Sequence, residues 1–264
     1  MPVMTTYEHG APCWAELSTP NIQRSRDFYC ELFGWSVYTM ADTLIGDVDI
    51  LTLGGVDGPR VAGLLDMADV TLSPNWTCYF NVRDLPRAAD AVREAGGEVF
   101  FEADVGLGFM ALAADTEGAG FGLWHPHVQV HRGAHVVDEP NAMCWLELAC
   151  QDAAAAQDFY GHVLGWGKPT EFQGATSDKC FMWTMTGRPI ARLVCADEPP
   201  PDRGSPARWY PYFAVADCDA SATAAVRLGA TVKVTCTETV HGRLASFADP
   251  TEATLDVIQL RPRS

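Results

Sequence analysis

A tryptophan and a glutamate two residues apart occur twice in this sequence, as Trp14 with Glu16 and as Trp145 with Glu147. Side chains two residues apart on a β-strand lie on the same face, so each pair is expected to point into one site. A carboxyl group beside an indole, in a place with little water, has a raised pKa and can act as a general acid or base. The indole offers a flat apolar surface for a planar ligand. The two pairs therefore predict two sites, with Glu16 and Glu147 as catalytic candidates.

Both pairs also have a structural interpretation. The tryptophans could fill space without contacting a ligand, and the glutamates could be held by a neighbouring arginine or a backbone donor. Because the same pair occurs in both halves, a structural role is favoured for the glutamates, whereas ligand contact by at least one tryptophan stays open.

The turn His241-Gly242-Arg243 is a further candidate, because the matching stretch of the first half, Leu107-Gly108-Phe109, carries no titratable group. In this hypothesis His241 acts as a base and Arg243 or Arg192 binds an anion. The alternative, a solvent-exposed turn, is favoured.

Several other aromatic side chains could line the same sites or simply build the core of a sheet. They are Trp76, Tyr79, Trp124, Trp183, Trp209, Tyr210 and Tyr212. Together they make an aromatic ligand a better candidate than a sugar or an amino acid. The sequence has no glycine-rich phosphate loop and no G-x-S-x-G motif, so nucleotide binding and serine hydrolysis have no support.

These residues belong to a repeat that covers the chain. The segment 13–17 returns as 144–148, and the segment 27–29 returns as 158–160, in both cases 131 residues later. The offset grows by two or three residues toward the end of each copy, as expected when surface loops gain residues. The repeat predicts a first domain over 1–126, a linker over 127–139 and a second domain over 140–264.

Each half is predicted to contain two units made of a strand, a helix and three further strands. The first helix begins after Asn21 and ends near Gly34, which are typical capping residues. The predicted elements of the first half are a strand over 12–18, short strands within 36–66, a strand over 76–82, a helix over 85–95 and strands near 98–103, 108–114 and 119–125. In the second half, helices are predicted over 153–163 and 220–228, and a linker over 197–206.

This arrangement resembles the vicinal oxygen chelate superfamily, which includes glyoxalase I, bleomycin-resistance proteins and extradiol dioxygenases. The resemblance rests on the helix signatures 24–29 with 32–35 and 157–160 with 163–166, and on the closing turns 115–119 and 249–253. It implies an α+β fold of tandem domains, in which four βαβββ units form two curved, cup-shaped mixed sheets. The pattern is most similar to tandem glyoxalase-like proteins of high-GC bacteria, which often occur among antibiotic-biosynthesis genes.

Members of this superfamily usually hold a divalent metal in the cup through His, Gln or Glu. The positions that the resemblance assigns to metal ligands are Trp14, Thr77, Trp145 and Tyr210 on first strands, and Gly63 or Leu64, Gly122, Arg192 or a neighbour, and Asp256 on fourth strands. Only Asp256 is a good ligand, and a metal centre of this kind needs three or four. We therefore expect no metal and no other cofactor, and keep Asp256 as a ligand-binding candidate.

Composition excludes further classes. A net charge of −16 disfavours nucleic acid, whose phosphates require a surplus of Lys and Arg. No long apolar run and no signal-peptide pattern is present, so the expectation is a cytoplasmic protein that does not bind membranes. The nine cysteines are expected to be reduced, and the histidines at 125, 127, 131 and 135 are not expected to bind a metal. A monomer and a homodimer are both open.

The leading hypothesis is a metal-independent protein that binds a small aromatic or polycyclic molecule, as an enzyme or accessory protein of antibiotic biosynthesis. One alternative is a resistance protein that sequesters an antibiotic without chemistry. Another, disfavoured by the missing ligands, is a metal-dependent glyoxalase or dioxygenase. The sequence does not decide whether the protein is an enzyme.

Overall fold

The computed structural model describes residues 4–41, 44, 46–67, 73–128, 132–173, 179–195 and 207–261. In the first half the elements are β1 (Pro12–Thr19), α1 (Ile22–Phe33), β2 (Trp35–Met40), β3 (Val48–Leu53), β4 (Arg60–Asp66), β5 (Asn75–Asn81), α2 (Leu85–Glu94), β6 (Glu98–Asp104), β7 (Gly108–Ala114) and β8 (Gly120–Pro126). In the second half they are β9 (Met143–Cys150), α3 (Ala153–Leu164), β10 (Thr170–Gln173), β11 (Lys179–Met185), β12 (Arg188–Cys195), β13 (Arg208–Ala214), α4 (Cys218–Arg227), β14 (Thr231–Glu238), β15 (Gly242–Ala248) and β16 (Thr254–Leu260). The predicted linker over 197–206 lies outside the described residues. No helix in the described ranges is long and apolar enough to cross a membrane.

Each half forms one open, eight-stranded mixed sheet. The strand orders are β2-β3-β4-β1-β5-β8-β7-β6 and β10-β11-β12-β9-β13-β16-β15-β14. Each sheet joins two βαβββ units through its central strands, because β1 pairs antiparallel with β5 and β9 with β13. Within a unit the first strand runs parallel to the fourth, as β1 does to β4. The predicted fold of four units in two sheets is confirmed.

The helix boundaries follow from capping residues. The side chain of Asn21 accepts a hydrogen bond from the backbone N–H of Arg24, and α1 ends at Gly34 in the left-handed conformation, with φ of 65°. In the second copy Asp152 caps α3, which ends at Gly165 with φ of 70°. A residue with a Cβ is strained in this conformation, so glycine fixes the end of both helices.

The back faces of the two sheets share one hydrophobic core. Residues of both halves belong to a single cluster of buried side chains. The ring of Phe80 meets that of Trp209 edge-on, with centroids 5.3 Å apart, and the rings of Trp76 and Phe213 lie 5.1 Å apart. Because this core is common, each sheet buries its apolar face against the other half.

Two matched hydrogen bonds cross the interface between the halves. The hydroxyl of Tyr29 donates to Asp249 Oδ2 at 2.8 Å, and the hydroxyl of Tyr160 donates to Asp115 Oδ2 at 2.9 Å. All four side chains are buried. The repeated tyrosines of the helix signature therefore join the halves, which gives this part of the repeat a structural explanation.

The repeated tryptophans after α1 and α3 act in the same way. Nε1 of Trp35 donates to the carbonyl oxygen of Asn141, and Nε1 of Trp166 donates to that of Gly10, both at 2.8 Å. Each indole thus ties its own half to the backbone that enters the other half's central strand. These tyrosines and tryptophans of the helix signatures lie at this interface and not in the cups.

Candidate functional site

The concave face of the first sheet, called here the first cup, encloses a cavity of about 380 Å³. Trp14 and Glu16 of β1 and Tyr79 of β5 are among the residues that line it. Its walls include the side chains of Met40, Val48, Ile50, Val105, Met110 and Trp124. A volume of this size with mostly apolar walls is typical of sites for small organic molecules.

Glu16 is the one acidic side chain among the described residues that line this cavity. Burial raises the pKa of its carboxyl, and hydrogen bonds from Tyr79 and Trp14 only partly offset that effect. The hydroxyl of Tyr79 donates to Glu16 Oε1 over 3.2 Å. Burial and the nearby carboxyl raise the pKa of Tyr79 far above its ordinary value, so the phenol stays protonated. The cavity therefore presents a carboxyl group that can exchange a proton, held by a neutral donor.

Two glycines make room for these side chains. Gly63 of β4 lies opposite Glu16, and Gly122 of β8 lies opposite Tyr79. A Cβ atom at Gly63 would lie 3.2 Å from Glu16 Oε2 and equally close to the indole of Trp14, and one at Gly122 would lie 2.1 Å from the ring of Tyr79. These are two of the positions at which the resemblance placed metal ligands, and in this cup the side chains of Trp14, Glu16 and Tyr79 cover the glycine backbone.

The concave face of the second sheet, the second cup, has charged side chains at the same positions. Arg192 lies opposite Glu147, and Asp256 lies opposite Tyr212. The guanidinium of Arg192 is 2.5 Å from Glu147 Oε2, to which the hydroxyl of Tyr212 also donates at 3.0 Å. Although burial opposes its charge, the carboxylate of Glu147 raises the pKa of Arg192, so the guanidinium remains charged. Glu147 is 2% exposed, and its carboxylate is neutralised within the protein.

His241 lies beside this second cup. Its imidazole meets the rings of Trp145 and Phe172 edge-on, at 5.2 and 5.1 Å between centroids. Burial lowers the pKa of His241, and the positive charge of Arg192 lowers it further, so the imidazole is neutral at pH 7. Tyr210 packs in the same aromatic cluster as Trp145.

Several predicted site residues lie elsewhere, which corrects their placement in the cups. Trp76, Trp183 and Trp209 belong to the core between the halves. Arg243 forms an ion pair with Asp219 of α4, 2.8 Å away, on the outside of the sheet. Successive side chains of a β-strand point to opposite faces of the sheet. Thr77 pairs with Glu16 and so faces the cup, and its neighbour Trp76 must therefore face the core.

Sequence reasoning missed most of the wall of the first cup. Val48 and Ile50 alternate along β3 toward the cavity, and Met40 ends the preceding strand. Arg60, which follows the Gly58-Pro59 turn, is the one basic side chain among the described lining residues. The alternation in β3 was a usable signal, whereas nothing in the sequence separates Arg60 from a surface arginine.

The residues of the cups do not fit a metal ion. Among the described residues, no group of three or more His, Cys, Asp or Glu side chains is placed to hold one. In the first cup, Glu16 is surrounded by Trp14, Tyr79 and Gly63, none of which is a usual ligand for zinc or iron.

The histidines of the linker region have other contacts. Nδ1 of His125 is 2.9 Å from the carbonyl oxygen of Val82, and Nε2 of His127 is 2.8 Å from Asp104 Oδ1. His131 lies outside the described residues. Both imidazoles also contact the ring of Phe109, with centroids 6.2 and 4.8 Å away.

Comparison with known proteins places the chain in a family. A model of the Glyoxalase/Bleomycin resistance protein/Dioxygenase superfamily matches residues 132–257. The anthracycline biosynthesis protein DnrV of Streptomyces peucetius is 34% identical over 280 residues, covering 98% of this chain and 96% of the relative. The anthracycline biosynthesis protein DauV of Streptomyces sp. strain C5 is 32% identical over 277 residues, with the same coverage. The chain belongs to this superfamily.

Solved structures share the fold over the whole chain. The 2,3-dioxygenase LapB from Pseudomonas sp. KL28 superimposes with a TM-score of 0.65 and 13% identity, covering 97% of this chain and 93% of that one. At this identity the likeness concerns the fold alone. What the cups do must therefore be argued from their own side chains.

Proposed function

We propose that the first cup binds a small aromatic or polycyclic molecule without a metal, and that the protein serves the biosynthesis of an aromatic secondary metabolite. The observation that carries the proposal is the cavity of about 380 Å³, whose described lining is mostly apolar and includes two indoles and one carboxyl group. Similarity to two anthracycline biosynthesis proteins supports the biosynthetic role.

Each part of the cavity has a separate task in this proposal. Trp14 and Trp124 offer flat surfaces for stacking against the ligand, and the aliphatic walls exclude water. Glu16 is the group that can accept a proton from the ligand or return one, because its carboxyl lines the cavity and burial raises its pKa. Tyr79 fixes the orientation of that carboxyl through its hydroxyl.

The sequestering alternative uses the same cavity without proton transfer. It differs from the biosynthetic proposal only in the role of Glu16, so a variant at this position separates them. With Glu16→Gln, a catalytic role predicts a loss in turnover of about 10²–10⁴-fold at saturating ligand, whereas sequestration predicts no turnover in either the wild type or the variant. The metal-dependent alternative requires donors that the described residues do not supply.

Ligand binding is tested with 1,4-dihydroxyanthraquinone as probe, by isothermal titration calorimetry. Trp14→Ala is expected to weaken binding by about 1–3 kcal/mol, because apolar area against the probe is lost. The matched control is Trp145→Ala, which removes the equivalent indole of the second cup and should leave the affinity within twofold. Equal affinities of the wild type and Trp14→Ala would contradict the proposal, as would an effect of Trp145→Ala alone. Thermal melting checks that both variants fold.

A further inference from the structure

The same glutamate has different surroundings in the two cups. In the second cup, the fourth-strand residue opposite Glu147 is Arg192, whose guanidinium lies 2.5 Å from the carboxylate. In the first cup the residue opposite Glu16 is Gly63. The first cup thus keeps the acid of the pair and lacks a cation at this position, and Glu16 lines the cavity beside Trp14 and Tyr79.

A buried carboxylate is costly unless a cation or several donors compensate it. Tyr79 and Trp14 supply neutral hydrogen bonds to Glu16. Arg60, the basic residue among the described cavity-lining side chains, is three positions from Gly63 along β4, about 10 Å at a rise of about 3.3 Å per residue. The cavity therefore brings room for a group from outside the protein to a carboxyl that accepts hydrogen bonds from neutral donors.

We propose that the ligand of the first cup carries a protonated amine, which pairs with Glu16 from the cavity as the Arg192 guanidinium pairs with Glu147 in the second cup. This inference rests on the proposed function of the cup as an aromatic binding site. The indole of Trp14 adds a face to which a cation is attracted. The net charge of −16 favours the approach of a cationic molecule over that of an anionic one. The ligand class is an aromatic compound with an ammonium group on a short linker.

The test uses three probes that share one ring and differ in charge: 2-naphthylmethylamine, 2-naphthylmethanol and 2-naphthoate. Their affinities are measured by calorimetry at pH 7.5 with the full-length protein. The amine is expected to bind at least tenfold more tightly than the alcohol, and the carboxylate most weakly. In Glu16→Gln, which keeps the shape of the side chain, the advantage of the amine over the alcohol should fall below about threefold.

The matched control is Glu98→Gln, which removes the same charge from an exposed position on β6. It should retain the full preference for the amine, because only a nearby carboxylate creates it. Gly63→Arg supplies the cation from within the protein and is expected to reduce amine binding at least tenfold. If Gly63→Arg does not fold, Glu16→Gln and its control decide the matter.

The outcomes separate this inference from the proposed function. If the alcohol or the carboxylate binds as tightly as the amine or more tightly, the inference that the ligand carries an ammonium group is wrong. The proposed aromatic site then still stands, because the ring binds. If Glu16→Gln keeps the full preference for the amine, the inference that Glu16 binds an ammonium group is also wrong. If none of the three probes binds, both the amine and the aromatic site are contradicted.

Discussion

Glu147 and Arg192 form an ion pair whose side chains are 3% and 17% exposed, so the loss of one partner leaves the other charge in a poorly solvated place. We expect Arg192→Met to lower the free energy of unfolding by about 3–5 kcal/mol. Adding Glu147→Gln should recover much of that loss, because no unpaired carboxylate remains. Urea unfolding of the wild type and both variants measures this. A loss below about 1 kcal/mol for Arg192→Met would contradict a stabilising role of the pair.

The carboxyl of Glu16 is expected to make stability depend on pH. Burial raises its pKa above the ordinary value near 4.5, so the folded protein holds this proton more tightly than the unfolded chain does. The resulting stabilisation is complete below pH 4.5 and is lost as the pH rises through the folded-state pKa. Glu16→Gln lacks this loss and should gain stability relative to the wild type between pH 5 and pH 8.

Urea unfolding of both proteins at the two pH values checks the effect of Glu16. Asp115 and Asp249 also have raised pKa values because of burial, but they are present in both proteins and cancel in the comparison. A difference between the proteins that does not change with pH would show that Glu16 titrates as an exposed carboxyl does.

At the level of elements, the two tyrosine–aspartate bonds should hold the halves together unequally. Tyr29→Phe removes one bond to Asp249 and is expected to cost about 1.5–3 kcal/mol. The hydroxyl of Tyr160 donates to Asp115 and also accepts from Nε1 of Trp209 at 2.8 Å. Tyr160→Phe therefore leaves a buried donor without this acceptor, and we expect a further loss of about 1–3 kcal/mol. Thermal unfolding of the two variants compares them, and an equal loss would contradict the larger role of Tyr160.

The elements were largely predictable because their signals are local. The polar caps Asn21 and Asp152 and the terminal Gly34 and Gly165 bound α1 and α3, and the predicted limits agree within a residue or two. The pairing of Trp14 with Glu16 on the cavity side of β1 also followed from the period of a strand. These features depend on neighbours in sequence, which a single sequence displays.

The difference between the cups was not predictable in the same way. Gly63 and Arg192 were both seen at fourth-strand positions, but their meaning depends on register, which brings each opposite a glutamate on another strand. The position of Trp183 in the core was likewise not predictable from the sequence, because it depends on the pairing of Trp183 with Ala191 on the neighbouring strand. Non-local pairing decides which side chain fills a cavity and which leaves it open.

For the whole molecule, we expect the protein to be active and stable without a metal. The described residues supply no set of three ligands, so added chelator should change neither the melting temperature nor the binding of the anthraquinone probe. Elemental analysis of the purified protein measures metal content directly. About one equivalent of zinc, iron, nickel or manganese per chain, removable by chelator with loss of binding, would contradict this prediction.

The unequal cups have an evolutionary consequence. After a duplication, one copy of a site can change freely only if the other maintains what selection requires. Here the second cup contains a neutralised ion pair, and the first contains glycines at the corresponding places. Substitutions around Met40, Val48 and Ile50 can therefore alter ligand preference in a lineage while the Glu147–Arg192 pair and the shared core stay unchanged. The duplicated scaffold is in this sense suited to diversification, since new specificities can arise on one side without a compensating change on the other.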